Sequence, residues 1–326
     1  MDQSTVPRRR FLAGVAGLAG GLAGSRLTPV PAAAQPVAPA KTLKGTGLEL
    51  VLLGTKGGPR PGGPRSNPGY VFLVDGTPYV VDCGPGVPHQ LVRAGVALPS
   101  IRRIFITHHH SDHNAEYGNV FFLAWASGLR DKVKTYGPPP IKRMTELFWE
   151  LNRYDVEIRI ADEGRVDPRP LVEATEFDGP GVIYQDEKVR VTAALVNHPP
   201  VIPAFAYRFD TRDRSIVFSG DTTADDRLIA LARGADVLVH EVLYVPGVDK
   251  MLARVPNAAT LKEHLIASHT PTYDLGRVAR EAQVKTLVLT HLVPGDDLTI
   301  TDEMWTADVR KDFAGEIIVG QDLMVV

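Results

Sequence analysis

Thr107-His108-His109-His110-Ser111-Asp112-His113-Asn114 follows an apolar run, Ile101 to Ile106, that reads as a buried strand. The chain leaves that strand at the histidines, and the pattern predicts a helix over Ala115–Gly128. Imidazole nitrogen and carboxylate oxygen are ligands of borderline metals such as zinc. His108, His110, Asp112 and His113 lie within six residues, so a tight loop at a strand end can aim all four at one small volume. A lone histidine is ordinarily a core or surface residue. Three of the chain's ten histidines, with an aspartate among them at fixed offsets, point instead to metal binding. His109 alternates with them and is expected to face away, packed or hydrogen-bonded.

Three more sets of donors follow apolar, β-branched runs. They are Asn197-His198 after Val189–Val196, Ser219-Gly220-Asp221-Thr222 after Ser215–Phe218, and Thr290-His291 after Thr286–Leu289. Together with the T-H-x-H-x-D-H stretch they resemble the metal-binding signature of the metallo-β-lactamase fold, over roughly Leu48 to Val326. The resemblance implies an α/β (α+β) chain folded as an αββα sandwich. Strand-rich sections alternate with helices in both halves, which suits two sheets packed face to face with helices outside.

By the same resemblance, His108, His110 and His198 hold one metal. Asp112, His113 and His291 hold a second, and Asp221 bridges them. Two zinc ions are the expected cofactors, although manganese and iron suit the same donors. A metal-bound hydroxide at neutral pH makes hydrolysis the implied reaction, with Asp112 serving both as ligand and as catalytic residue. Asp82, in Asp82-Cys83-Gly84, matches an aspartate that orients the ligands from beneath.

His240-Glu241 and Ser268-His269-Thr270 resemble motifs of the ribonuclease Z branch, in which a Glu–His pair assists proton transfer. Carried over, His269 is the general acid and Glu241 its partner. The match is imperfect: Val242-Leu243 and Thr270-Pro271 depart from the motifs, and His264 is a second acid candidate in a predicted helix. Ribonuclease Z also carries a long tRNA-gripping arm, whereas the His198–Asp221 segment is only long enough for a hairpin. The chain resembles the exported arylsulfatases of this fold better on that point. The expectation is therefore a hydrolase of a small aromatic sulfate or phosphate ester. The partner is then a small molecule, with no nucleic acid and no membrane, and members of the family often form homodimers. Alternatives on the same site are a hydrolytic dehalogenase, a lactonase, a ribonuclease Z-type phosphodiesterase and a noncatalytic metal-binding protein.

The rest of the chain sets the frame. Hydrophobic residues make up 44% and charged residues 23% of 326, as in ordinary globular proteins. Cys83 is the one cysteine, so no intrachain disulfide forms, and buried packing is its expected role. Residues 1–34 read as a twin-arginine export signal: Arg8-Arg9-Arg10-Phe11-Leu12, an apolar glycine-rich run to Ala23, and Ala32-Ala33-Ala34 before cleavage. The protein is then periplasmic or secreted, with residues 35–47 a linker and 48–326 the hydrolase domain. The leader's four arginines and one aspartate carry +3, so its loss takes the formal charge from −2 to −5, which disfavours nonspecific binding to polyanions. Three loops are expected to set specificity: Thr55–Gly69, with Lys56, Arg60 and Arg65; Asp155–Asp178, a charged and irregular lid or wall; and Tyr244–Asn257.

Overall fold

Alternation along the strands decides the layers. In Leu48–Gly54, Leu50 and Leu52 enter one cluster of buried side chains, while Val51 and Leu53 enter another. Gly69–Val74 and Thr77–Val81 divide the same way, with Phe72, Tyr79 and Val81 on one face and Val71, Leu73 and Val80 on the other. Because side chains point alternately to either face of a strand, this parity makes a sheet buried on both sides. The turn between these two strands is Asp75-Gly76, both at positive φ (47° and 73°), the geometry a two-residue hairpin requires.

The computed structural model describes residues 43, 47–60, 62–253, 255 and 258–326. The expected export signal, residues 1–34, and nearly all of the expected linker, 35–47, lie outside the described residues. Two seven-stranded sheets are present. The first runs, in spatial order, Met324–Val325, Leu48–Gly54, Gly69–Val74, Thr77–Val81, Arg103–Phe105, Val133–Gly137 and Val172–Glu176. The second runs Glu316–Val319, Thr286–Val293, Val237–Leu243, Ser215–Phe218, Phe205–Thr211, Val189–Leu195 and Gly181–Gln185.

The sheets meet through aromatic side chains. Phe209 of the second sheet touches Phe72 and Phe105 of the first, with ring centroids 4.7 and 5.2 Å apart. Helices cover the outer faces. Tyr117–Ala126 sets Val120, Phe121 and Trp125 against the first sheet. Thr272–Glu281 sets Leu275, Val278 and Ala279 against the second. This is the αββα sandwich expected. Among the described residues no helix is long and apolar enough to cross a membrane.

Several elements differ in detail from expectation. The strand before the histidines covers only Arg103–Phe105, and the expected helix after them is two, Ser111–Asn114 and Tyr117–Ala126. The final helix likewise divides into Asp302–Thr306 and Val309–Asp312. The segment Asp155–Asp178 is not irregular. It contains most of a helix, Arg153–Glu163, and the edge strand Val172–Glu176. Its charges are helix-surface pairs, such as Arg159 with Asp155 and Glu163 one turn away on either side.

From Thr77–Val81 to Val172–Glu176, and from Ser215–Phe218 to Glu316–Val319, neighbouring strands are parallel. Parallel strands present their carboxyl ends together, and open α/β sheets place ligands there.

Candidate metal centre and active site

Each candidate metal ligand sits where a strand ends or kinks. Thr107 to His113 follow Arg103–Phe105, and Asp82 follows Thr77–Val81 in left-handed backbone (φ 58°). His198 follows Val189–Leu195, and Asp221 follows Ser215–Phe218. Between them Gly220 lets the chain pass Phe205: a Cβ there would lie 2.6 Å from the Phe205 carbonyl oxygen, and its φ is +58°. His291 lies inside Thr286–Val293, not beyond a shorter strand. Thr290 pairs with Glu241 and Leu292 with Val242, so His291 is the extra residue of a bulge, at φ 43°.

These turns bring the donors together. One nitrogen or oxygen from each of His108, His110, His198 and Asp221 lies within 4.8 Å of the others. The same holds for Asp112, His113 and His291. Asp221 faces both groups. Its Oδ1 is 3.3 Å from His113 Nε2, and its Oδ2 is 3.2 Å from His291 Nε2 and 3.8 Å from both His108 Nε2 and His198 Nε2.

Hydrogen bonds to the far sides of the rings show that the inner nitrogens are bare. The Thr107 backbone N–H donates to Asp82 Oδ1 at 2.8 Å, and the Thr107 hydroxyl donates to Asp82 Oδ2 at 2.9 Å. That hydroxyl therefore accepts from His108 Nδ1, 3.0 Å away. His113 Nδ1 donates to Asp82 Oδ2 at 2.8 Å, and His198 Nδ1 donates to the Ser268 carbonyl at 2.9 Å. In each neutral ring the Nε2 lone pair then points inward. His108 Nε2 and His198 Nε2 stand 3.2 and 3.1 Å from His110 Nδ1. His113 Nε2 and Asp221 Oδ1 are buried with no hydrogen-bond partner. Lone pairs and carboxylates crowded so closely repel one another unless a cation sits among them, so the donor set fits a dinuclear metal site.

Burial opposes a charge on His113, but Asp221 and Asp82 hold its pKa well above the ordinary imidazole value, so a metal there displaces a proton; the histidines of the other group differ. Burial pushes His108 well below the ordinary imidazole pKa and lowers His198. Burial, with His198 beside it, takes His110 to about 4. All three are thus neutral and able to ligate. Burial opposes the charge of Asp221, but His291 and His113 hold it well below the usual carboxylate range. Asp82→Ala would leave Thr107 and His113 without their acceptor. It is expected to weaken metal affinity roughly 10–100-fold, measured by competition with a chromophoric chelator.

Glu241 and His269 adjoin the cluster. Glu241 Oε1 accepts from the backbone N–H groups of Thr222 and Thr270, each at 3.1 Å, and pairs with His269 Nδ1 at 3.1 Å. Burial opposes a charge on His269, yet Glu241 lifts its pKa to about 9. With Nδ1 so engaged, Nε2 is the nitrogen left for the cavity that His269 lines. Glu241 lies inside the strand Val237–Leu243, two residues before its end. His264 also lines the cavity and contacts Ser268 Oγ at 3.2 Å, but belongs to no ligand group. His109 faces elsewhere, with Nε2 2.8 Å from the Pro138 carbonyl and Nδ1 2.9 Å from Asn114. Cys83 is fully buried.

The cavity over the cluster has a volume of about 580 Å³. Gly57 to Arg60 form one side of it, and Gly58 N–H donates to Asp112 Oδ2 at 2.8 Å, a contact with no motif to reveal it. Of the loop's cations, Lys56 binds the Gly58 and Arg60 carbonyls, and Arg65 binds Thr55 Oγ1 and the Gly320 carbonyl. Both brace the loop, while Arg60 stands exposed at the rim. Asp155–Asp178 contributes nothing to this cavity among the described residues, which corrects its expected role as a wall. Trp149, nearby in the chain, packs on Phe121 and Phe148.

The sequence matches the Beta-lactamase superfamily domain over residues 77–292. Ribonuclease Z of Mycobacterium bovis (strain BCG / Pasteur 1173P2) is 31% identical over 279 residues, which is 85% of this chain and 96% of the relative. Ribonuclease Z of Mycobacterium sp. (strain KMS) is 32% identical over 283 residues, 85% of this chain and 94% of the relative. Among solved structures, the metallo-beta-lactamase fold protein YhfI from Bacillus subtilis superposes with a TM-score of 0.62 at 21% identity, covering 86% of this chain and 98% of its own. The short form of human tRNase Z superposes with a TM-score of 0.61 at 21% identity, covering 85% and 98%. Relatives named as ribonucleases overturn the expectation that nucleic acid is not a substrate. That expectation rested on a short hairpin and a leader, neither of which bears on the chemistry of the site. Fold, sequence and donor cluster together establish that the chain belongs to the beta-lactamase superfamily, as a metal-dependent hydrolase of the metallo-β-lactamase fold.

Proposed function

We propose that the chain hydrolyses phosphodiesters in the manner of ribonuclease Z, with RNA as the substrate class and zinc as the metal. The observation that carries this reading is the Glu241-held His269 set against the seven-residue donor cluster, on the cavity floor. The name shared by its sequence relatives supports the phosphodiester. His108, His110 and His198 would hold one metal, and Asp112, His113 and His291 the other, with Asp221 between them. Metal ions bound there supply Lewis acidity and a water that ionises near neutral pH. Asp82 and Thr107 hold the ring orientations. His269 donates a proton from Nε2 to the departing oxygen, while Glu241 keeps Nδ1–H in place. Arg60 at the rim attracts the anionic substrate.

A second reading keeps the site and takes an aromatic sulfate or phosphate ester, as an arylsulfatase does. In its favour, the chain between His198 and Asp221 forms a plain hairpin, Phe205–Thr211 with Ser215–Phe218, that adds no extension beside the cavity. Elemental analysis of the purified protein is expected to find two metals per chain. Cleavage of a short RNA and of bis-p-nitrophenyl phosphate should vanish with chelator and return with zinc. Release from p-nitrophenyl sulfate alone would favour the second reading, and a metal-loaded protein that cleaves none of the three would sink both.

A further inference from the structure

We infer that the two helices between Leu243 and His269 build an apolar slot that receives a planar aromatic ring of the substrate. The inference rests on the ester-hydrolase reading above and says which part of the ester the wall recognises. The helices are Val245–Leu252 and Ala258–Ser268. They form a small core of their own, in which Val248, Leu252 and Leu265 pack on the strand ends Leu243 and Val293. Met251 and Leu261 join that core from its edge, only half-buried.

A wall needed only to close the fold would turn its apolar side chains inward and polar ones to the cavity. Here side chains that close that core also face the cavity. Leu261, His264 and Leu265, at i, i+3 and i+4 of one helix, all line the cavity, and Met251 lines it from the other helix. Val255, Val293 and Pro294 extend the same surface. The donor cluster is polar and lies on the floor, so one cavity joins a charged floor to an apolar wall.

Gly57-Gly58-Pro59 line the cavity too, with Gly57 lying against Val293. Gly57 admits no side chain, since a Cβ would meet the His291 ring at 2.6 Å. Lys56 and Arg60 flank this strip. On the apolar wall, methionine adapts its shape to an aromatic neighbour. The cavity, about 580 Å³, is of the size that takes a small organic ligand. An ester whose phosphorus or sulfur lies over the floor extends its organic group along this wall. A nucleobase and a simple aryl group share the planar face that the slot reads.

Phenylphosphonate and methylphosphonate separate the slot from the anion site, because both carry the same anionic head. In calorimetric titrations of the zinc-loaded protein, phenylphosphonate is expected to bind at least tenfold more tightly than methylphosphonate. Leu261→Ala, at the edge of the insert's core, should reduce that ratio below threefold without changing metal content or methylphosphonate affinity. Met251→Ala is the second variant, should Leu261→Ala unfold. Equal affinities for the two phosphonates in the unmutated protein would overturn the slot while leaving the anion site intact. A preference that survives both substitutions would also overturn it. Binding of neither phosphonate, together with no ester cleavage, would remove the hydrolase reading and this inference with it.

Discussion

Asp221→Ala is expected to abolish hydrolysis and to empty both halves of the metal centre together. The other six ligands are each assigned to one half of the centre, but the Asp221 oxygens approach His113 and His291 of one half and His108 and His198 of the other, all within 3.8 Å. Alanine removes the anion that offsets the charge of two cations, and it leaves four imidazoles facing one another. Loss of an outer partner of a ligand typically costs roughly 10–100-fold, and loss of a shared ligand should exceed that. Elemental analysis should fall from two metals to fewer than one, with circular dichroism confirming a folded chain. Asp221→Asn, which keeps one oxygen of the same shape, should fall between. Full metal content with full activity in the alanine variant would end the two-metal reading.

His269→Ala should leave the metals in place and slow the reaction by roughly 10²–10⁴-fold on esters with poor leaving groups, the range of general acid catalysis. The loss should be much smaller on p-nitrophenyl esters, whose leaving anion needs no proton. Glu241→Gln keeps an oxygen acceptor for the Thr222 and Thr270 amides but removes the charge that keeps the buried His269 protonated. It should show the same dependence on leaving group, more weakly. The readout is the ratio of kcat values for the two ester types. If both types lose equally, His269 braces the loop and transfers no proton.

The donors could be found in the sequence because they combine rare residue types with a local pattern. Histidines and aspartates directly after β-branched runs announce strand ends, and parallel strands gather their ends without further instruction. His291 shows the limit. Its place after Thr286–Leu289 is legible, but the bulge that turns it inward depends on pairing with Glu241 and Val242, fifty residues earlier. The expectation that the Thr55–Gly69 loop sets specificity did not say what its cations bind, because charge alone does not say what a lysine binds. Lys56 turned back onto its own loop carbonyls, and Arg65 reached Gly320. Asp155–Asp178 read as irregular because its charges hid the helical period. Arg153–Glu163 buries only Val156 completely and holds its surface with ion pairs, so it lacks the apolar stripe that announces a helix. The apolar wall over the cluster had no motif at all, since it exists only where two helices and a distant glycine loop converge.

The Glu241–His269 contact also bears on how the chain tolerates change. Leu243 N–H bonds the Thr270 carbonyl at 2.9 Å and Leu243 bridges Pro271, so residues 244–270 leave and rejoin the framework at one point. His269 is positioned by that junction and by Glu241, not by the length of chain before it. Closing a longer flexible loop costs little, about 0.6 kcal/mol for each doubling. The helical segment ahead of Ser268 is therefore the part whose length and lining can change, while Ser268, whose carbonyl accepts from His198 Nδ1, stays with the donor cluster.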